Sequence, residues 1–113
     1  MSISRQNLSV VIVTFMSEDV IHDCIKSIPE EINIIIVDNS GDKKFKENIE
    51  KKYKNVECIL SPENIGMGAG NNLGLRHINT DYAFIINPDV TLEKNTIDEL
   101  IYASSSINSF GII

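Results

Sequence analysis

The sequence predicts an α/β fold built on a parallel sheet, and three observations predict it. Short β-branched runs alternate with segments of helical periodicity; the runs are apolar throughout instead of alternating; and polar clusters stand directly after most of them. Strands that are apolar on both faces must be covered on both faces, which is the condition of a parallel sheet flanked by helices.

Residues 8–15 form the first run, a nearly continuous β-branched stretch suited to a buried strand. Ser17, Glu18 and Asp19 then supply a helix start, with acids in the first turn. Val20, Ile21, Cys24, Ile25 and Ile28 follow at helical spacing until Pro29 ends the segment. Residues 32–37 read as the second strand, and Phe45, Ile49 and Tyr53 recur at i, i+4 and i+8 along a charged second helix. Residues 56–60 make a short third strand that stops at Ser61 and Pro62. A glycine-rich loop comes next, with a helix expected from about residue 70 to residue 77. Residues 82–86 read as the fourth strand. Asn95, with Asp98 three residues on, is an N-cap for a helix carrying Ile97, Leu100, Ile101 and Ile107. Residues 110–113 look like the start of another strand.

Composition narrows the function classes. The chain has 113 residues, enough for one core, with 42% hydrophobic and 23% charged residues, the profile of an ordinary globular domain. A net charge of -6 leaves no basic stripe for a phosphate backbone, which excludes nucleic acid as a partner. The lysines between residues 43 and 54 are interleaved with Glu47 and Glu50 and read as a solvated helix face. Cys24 and Cys58 sit among apolar residues without a CxxC pair, so buried free thiols are expected. No signal peptide and no transmembrane stretch of ~18 apolar residues is visible, so a cytoplasmic chain is expected, with any membrane contact peripheral, at the inner face.

In parallel sheets, ligands bind outside the carboxyl ends of the strands. Asp38 ends the run at residues 34–37 and is followed by Asn39, Ser40 and Gly41. A carboxylate there can accept from a ribose hydroxyl or a base N–H, but an Asx-turn or a helix cap accounts for it equally well. Asp89 follows Asn87 and Pro88 on a stiff turn, where one carboxylate with substrate phosphates could hold a hard divalent cation; a simple loop aspartate is the plain reading. Gly66, Gly68, Gly70 and Gly74 allow close backbone approach to a ligand ahead of a helix N-terminus, but their spacing is not GxGxxG and they follow the third strand. Asn71 and Asn72 add amides there. His22 and His77 lack metal-type neighbours, and Arg76 could reach a phosphate but reads better as a surface residue.

Four stretches in order carry a resemblance: SVVIVTF at residues 9–15, IIVDNS at 35–40, ENIGMGAGNNLG at 63–74 and FIINPDV at 84–90. Together they resemble the family 2 glycosyltransferases of GT-A type, especially rhamnosyltransferase-like members of polysaccharide pathways. The resemblance implies a Rossmann-like parallel sheet with flanking helices. It also implies that this chain is a truncated form, the N-terminal donor-binding part, with residues 1–113 the nucleotide-sugar-binding portion and the acceptor-binding half absent.

By position, the resemblance places Thr14, Phe15 and Glu18 against the base and ribose, and Asp38 on the base or ribose edge. Asn64, Gly66, Gly70 and Asn71 would border the ribose, diphosphate and sugar. Asn87 and Asp89 occupy the place of the family's DxD motif, with Asp89 as the ligand of Mg²⁺ or Mn²⁺ and of the diphosphate. Partners implied are a nucleoside diphosphate sugar and, in the full-length enzyme, a glycan or lipid-linked acceptor.

Two positions depart from the family pattern: Met16 stands where Asn is common, and Asn87 replaces the first acid of DxD. No residue matches the family's catalytic base. A non-catalytic nucleotide-binding or interaction module is the alternative, and a nucleotidyltransferase a third reading, disfavoured because residues 14–19 are neither glycine-rich nor basic. A final exposed strand edge would invite pairing with another chain, and hence a homodimer.

Overall fold

The structure, a computed structural model, describes residues 5–104. A short 3-10 turn (Arg5–Asn7) leads into β1 (Leu8–Thr14), α1 (Glu18–Lys26), β2 (Asn33–Asp38), α2 (Lys43–Lys52), β3 (Val56–Leu60), α3 (Gly66–Leu75), β4 (Tyr82–Ile86) and α4 (Thr96–Ser104). All strand pairs are parallel, in the order β3-β2-β1-β4. The chain therefore steps outward from β1 to β3 and then returns across the sheet to β4. The reversal beside β1 is the switch point at which such sheets open a crevice.

Residue period two divides the core. Leu8, Val10 and Ile12 of β1 and Ile34 and Ile36 of β2 face α1, α2 and α4, where Ile21, Ile25, Phe45, Ile49 and Ile97 complete the larger core. Val11, Ile35 and Ala83 face the other side with Leu75 and Ile78. Every residue of β1 is buried, as its unbroken apolar run requires. Full burial of each such side chain stabilises by about 1.5–3 kcal/mol.

On the second face α3 lies unusually close to the sheet. A Cβ on Gly74 would stand 2.6 Å from Val11 Cγ1, and one on Gly70 would stand 2.9 Å from Val13 Cγ1. These glycines exist for helix–sheet contact. That contact also explains why the third helix starts at Gly66, well before the expected residue 70: packing overrides the poor helix propensity of the segment.

The edge strand β3 is closed by α2. Glu50 accepts from the Cys58 N–H at 2.8 Å, while Lys46 donates to the Cys58 carbonyl and to Glu50. Since β2 pairs with the alternate residues, this i, i+4 pair satisfies outward backbone groups that would otherwise template aggregation. Burial alone would raise the Glu50 carboxyl, but Lys46 and the Cys58 N–H outweigh it and hold it below its ordinary value. Arg5 joins Glu31 and Asp98, linking the chain start to the α1–β2 connection and α4.

Both cysteines are free and buried. Burial, with the Asp89 carboxylate adding, pushes the Cys24 thiol up to about 11; burial, with Asp38 adding, pushes Cys58 up to about 12. Neither forms a thiolate at neutral pH, so both are inert. No helix among the described residues is long and apolar enough to cross a membrane. Ile107 and the strand expected at residues 110–113, with the edge pairing attached to it, lie outside the described residues.

The contact geometry of α3 predicts opposite signs for two glycine substitutions. Gly74→Ala should cost about 1–3 kcal/mol by overpacking against Val11. Gly68→Ala, with nothing within 4 Å of its new Cβ, should gain up to about 1 kcal/mol. Urea unfolding of both variants checks this, and equal effects would contradict it. A carboxylate held low contributes stability that is present above its unfolded pKa and lost as pH falls through the folded one. Glu50→Gln should therefore be less stable than wild type at pH 7 and converge with it as pH falls through the lowered folded value; a gap that persists in acid would contradict this.

Candidate functional site

Every polar group that the strand-end rule selects lies at one edge of the sheet, and the pleat sorts them onto two sides. Thr14 and Asp38 are register partners and, like Ile12 and Ile36, face the α1–α2 side. Asn39, one residue on, faces α3, beside Gly70.

Asp38 is buried, at 1% exposure, and its carboxylate is engaged on both oxygens. The Thr14 hydroxyl donates to Oδ1 at 2.9 Å and the Asp42 N–H to Oδ2 at 3.1 Å. The Ser40 hydroxyl lies 2.9 and 2.8 Å from the two oxygens. A buried carboxylate is costly unless hydrogen-bonded in this way. The Asp38 carbonyl accepts from Ser61 N–H at 3.0 Å, and Thr14 carbonyl accepts from Asn39 N–H at 2.8 Å. The carboxyl ends of β1, β2 and β3 are thereby tied through one residue. Asp42 goes on to cap α2, accepting from the N–H groups of Lys44 and Phe45.

Two clefts flank this hub. One, of about 490 Å³, opens between α1 and α2, with residues 16–19 on one wall and Asp38, Ser40 and Asp42 on the other. Its lining includes Glu18, Asp19, Asp38 and Asp42 and no lysine or arginine. The second, of about 330 Å³, lies on the α3 side between Thr14, Phe15, Asn39, Asn64, Gly66 and Pro88. Among the described residues no cationic side chain lines either cleft, so an anion held here would meet backbone N–H groups.

The α3 N-terminus has no side-chain cap of its own; Asn64 Oδ1 accepts from Gly66 N–H at 3.0 Å in a turn just before it. Asn39 Nδ2 donates to the Gly66 carbonyl at 3.2 Å and pins the start of α3 to the end of β2. Asn39 Oδ1 is buried without a partner. Gly66 itself has φ +83°, which favours glycine.

Asn87 and Asp89 are exposed on a turn after β4 closed by Val90 N–H to the Asn87 carbonyl at 3.1 Å. The Asp89 carboxylate is near enough to Cys24 to raise its thiol, which sets the turn against α1. Among the described residues no group of three or more His, Cys, Asp or Glu converges, so they hold no ready-made cage for a cation.

Of the residues singled out in the sequence, Thr14 and Asp38 meet directly, Glu18 walls the first cleft, and Phe15, Asn64 and Gly66 line the second. Gly70 is spent on packing against Val13, and Asn71 borders neither of these two clefts; its Oδ1 is buried and unpaired. His22 bonds Tyr53 Oη at 2.8 Å and His77 the Leu73 carbonyl at 3.0 Å, as satisfied histidines do. Arg76 follows the C-terminal end of α3 and lies toward the opposite edge of the sheet, away from both clefts. Sequence alone does not point to Asn39 or Asp42 as organisers. A cap signal was there in Asp42, directly before the Phe45 and Ile49 periodicity.

Comparison with known proteins agrees with this fold. The family model described as Glycosyl transferase family 2 matches residues 9–107. The low-salt glycan biosynthesis hexosyltransferase Agl10 of Haloferax volcanii is 29% identical over 106 residues, covering 90% of this chain and 34% of that protein. The chain thus spans about a third of the length of the curated relative it matches. Among solved structures, S. aureus TarS 1-349 is similar with a TM-score of 0.74 at 19% identity, covering 95% of this chain and 38% of that one. Its complex with UDP gives 0.74 at 22% identity, covering 88% and 32%. At these identities the likeness shows the fold.

One backbone feature at the mouth of the clefts is directly testable. Met16 has φ 53° and is 80% exposed, a left-handed conformation that asparagine tolerates and β-branched residues resist. Met16→Asn should gain about 0.5–1 kcal/mol and Met16→Val should lose about as much. Denaturant midpoints in any other order would contradict the assignment of strain.

Proposed function

The chain belongs to glycosyl transferase family 2, and from that membership we propose that residues 1–113 form the nucleotide-sugar-binding part of a sugar transferase. The observation that carries the reading is the grouping of Thr14, Glu18, Asp38, Asn64, Gly66, Asn87 and Asp89 at the carboxyl edge of one parallel sheet. The UDP held by the structurally similar TarS supports a nucleoside diphosphate as the ligand class.

In this reading the nucleoside enters the cleft between α1 and α2. Glu18, Ser40 and Asp42 offer it hydrogen-bonding atoms, and Asp38, its own carboxylate already engaged, holds that wall in place. Asn64, Gly66 and the free N–H groups at the start of α3 border the ribose and diphosphate. Gly70 serves by letting α3 approach the sheet, and Asn71 lies behind this front.

A divalent cation fits the site's chemistry. The clefts are acidic, a diphosphate is anionic, and the exposed carboxylate of Asp89 with the Asn87 amide is a hard oxygen set able to share Mg²⁺ or Mn²⁺ with substrate phosphates. When bound, the cation supplies charge stabilisation to the leaving diphosphate. Asp89 would hold it, and Asn87 would orient the turn. In this reading an acceptor hydroxyl, of a glycan or a lipid-linked glycan, attacks the anomeric carbon with inversion as the bond to the nucleoside diphosphate breaks, and these residues contribute the donor-binding part. A cytoplasmic site on the inner face of a membrane suits such a donor.

Titration calorimetry with UDP, dTDP and GDP, with and without Mn²⁺, tests the proposal. Binding of one diphosphate, strengthened by Mn²⁺, is expected. Asp89→Ala should remove the metal-dependent gain, worth at least about tenfold. An unchanged affinity in that variant would sink the role of Asp89, and no binding of any nucleotide would sink the reading as a whole.

A further inference from the structure

The segment after β4 carries Asn87 and Asp89 and has no strand or helix of its own until Thr96. A backbone of that kind keeps a carboxylate in place only if its polar groups are tied elsewhere. Two ties lead to the same helix, α1. At the near end the Cys24 thiol lies 3.9 Å from the Asn87 carbonyl, a weak donor to the group that also closes the Asp89 turn. At the far end Ser27 Oγ accepts from the Leu92 N–H at 2.9 Å and donates to the Cys24 carbonyl at 2.6 Å.

The second tie is the stronger. A serine at a helix end often back-bonds to its own helix, and the Cys24 bond is of that ordinary kind. Service to α1 alone would leave the acceptor side of the hydroxyl to water. Here that acceptor is aimed at a residue 65 positions away in sequence. The Leu92 side chain packs against the main core beside it, so the strut is anchored at both ends. Helix α1 is itself immobilised by Ile21, Cys24 and Ile25, and its first turn walls the cleft between α1 and α2. One rigid element therefore sets both the cleft wall and the segment that bears Asp89.

We infer that Ser27 is a positioning residue for Asp89, holding residues 87–92 on α1 at a fixed reach from the nucleotide cleft. The inference rests on the proposed role of Asp89 in cation and diphosphate binding. Loss of the hydroxyl leaves the Leu92 N–H without its partner and frees the far end of the segment, while Glu18, Asp38 and α3 stay as they are.

The test uses the full chain as wild type, Ser27→Ala and Ser27→Thr, titrated with UDP, dTDP and GDP in EDTA and in Mn²⁺. Ser27→Ala should lose about tenfold of the Mn²⁺-dependent gain, the low end for groups that orient a metal ligand, and keep its affinity in EDTA. Ser27→Thr, which retains the hydroxyl, should restore the gain. Without metal or nucleotide, amide exchange at Val90 and Leu92 should speed up in Ser27→Ala while Ile21 and Ile25 stay protected. If the alanine chain does not fold, Ser27→Cys keeps the volume, weakens the hydrogen bond and should show the same loss. A gain that survives Ser27→Ala overturns the inference alone, as does an equal loss in EDTA and Mn²⁺. No metal-dependent gain in wild type overturns the role of Asp89 and this inference with it.

Discussion

The buried carboxylate of Asp38 is the constraint on which the rest of the edge depends. Removed from water, it has to be met by donors, and the chain brings them from three places: Thr14 at the end of β1, Ser40 in the turn, and the Asp42 N–H at the start of α2. Its carbonyl collects Ser61 beyond β3. Strand ends that would fray independently are thus held in one register, and the turn that follows is shaped to cap α2. Asn39 extends the same stretch to the other face and fastens α3 through Gly66. Residues 38–42 therefore build the walls of both clefts.

The chemistry of those walls follows from what is missing as much as from what is present. With Glu18, Asp19, Asp38 and Asp42 along one cleft and, among the described residues, no cationic side chain lining either, electrostatics alone repels a bare diphosphate. Helix N-termini offset part of that, each by a fraction of a charge. In the proposed reading a cation would supply the remainder, and the exposed turn bearing Asp89 is where it would find a carboxylate. The geometry divides labour between the two aspartates: Asp38 organises and Asp89 remains available.

Much of the architecture was legible in the residues. The β-branched runs of β1 and β2 declare strands covered on both faces, and β3 and β4 match their expected bounds, because such runs have few alternatives in a chain this size. The polar clusters after the strands lie together at one edge of the sheet, as parallel strands require. Glycine misled. In residues 66–74 its low helix propensity argues for a loop, yet Gly70 and Gly74 are present because the helix needs to touch Val13 and Val11. Propensity is local, and the close approach is a tertiary fact. The saturation of Asp38 was equally hidden, since an aspartate at a strand end reads alike whether its oxygens face a ligand or their own neighbours. Asn39 and Ser27 act across 27 and 65 positions of sequence, beyond the reach of any local pattern.

The central claim, that a nucleoside diphosphate sits at the carboxyl edge around the Asp38 hub, is tested most directly by an amide NMR titration of the chain with UDP and Mg²⁺. Shifts should concentrate at Thr14, Glu18, Ser40, Asp42, Gly66 and Asp89, while Asn33, Asn55 and His77 at the opposite edge stay in place. Shifts centred on that opposite edge, or none at saturating ligand, would contradict the account.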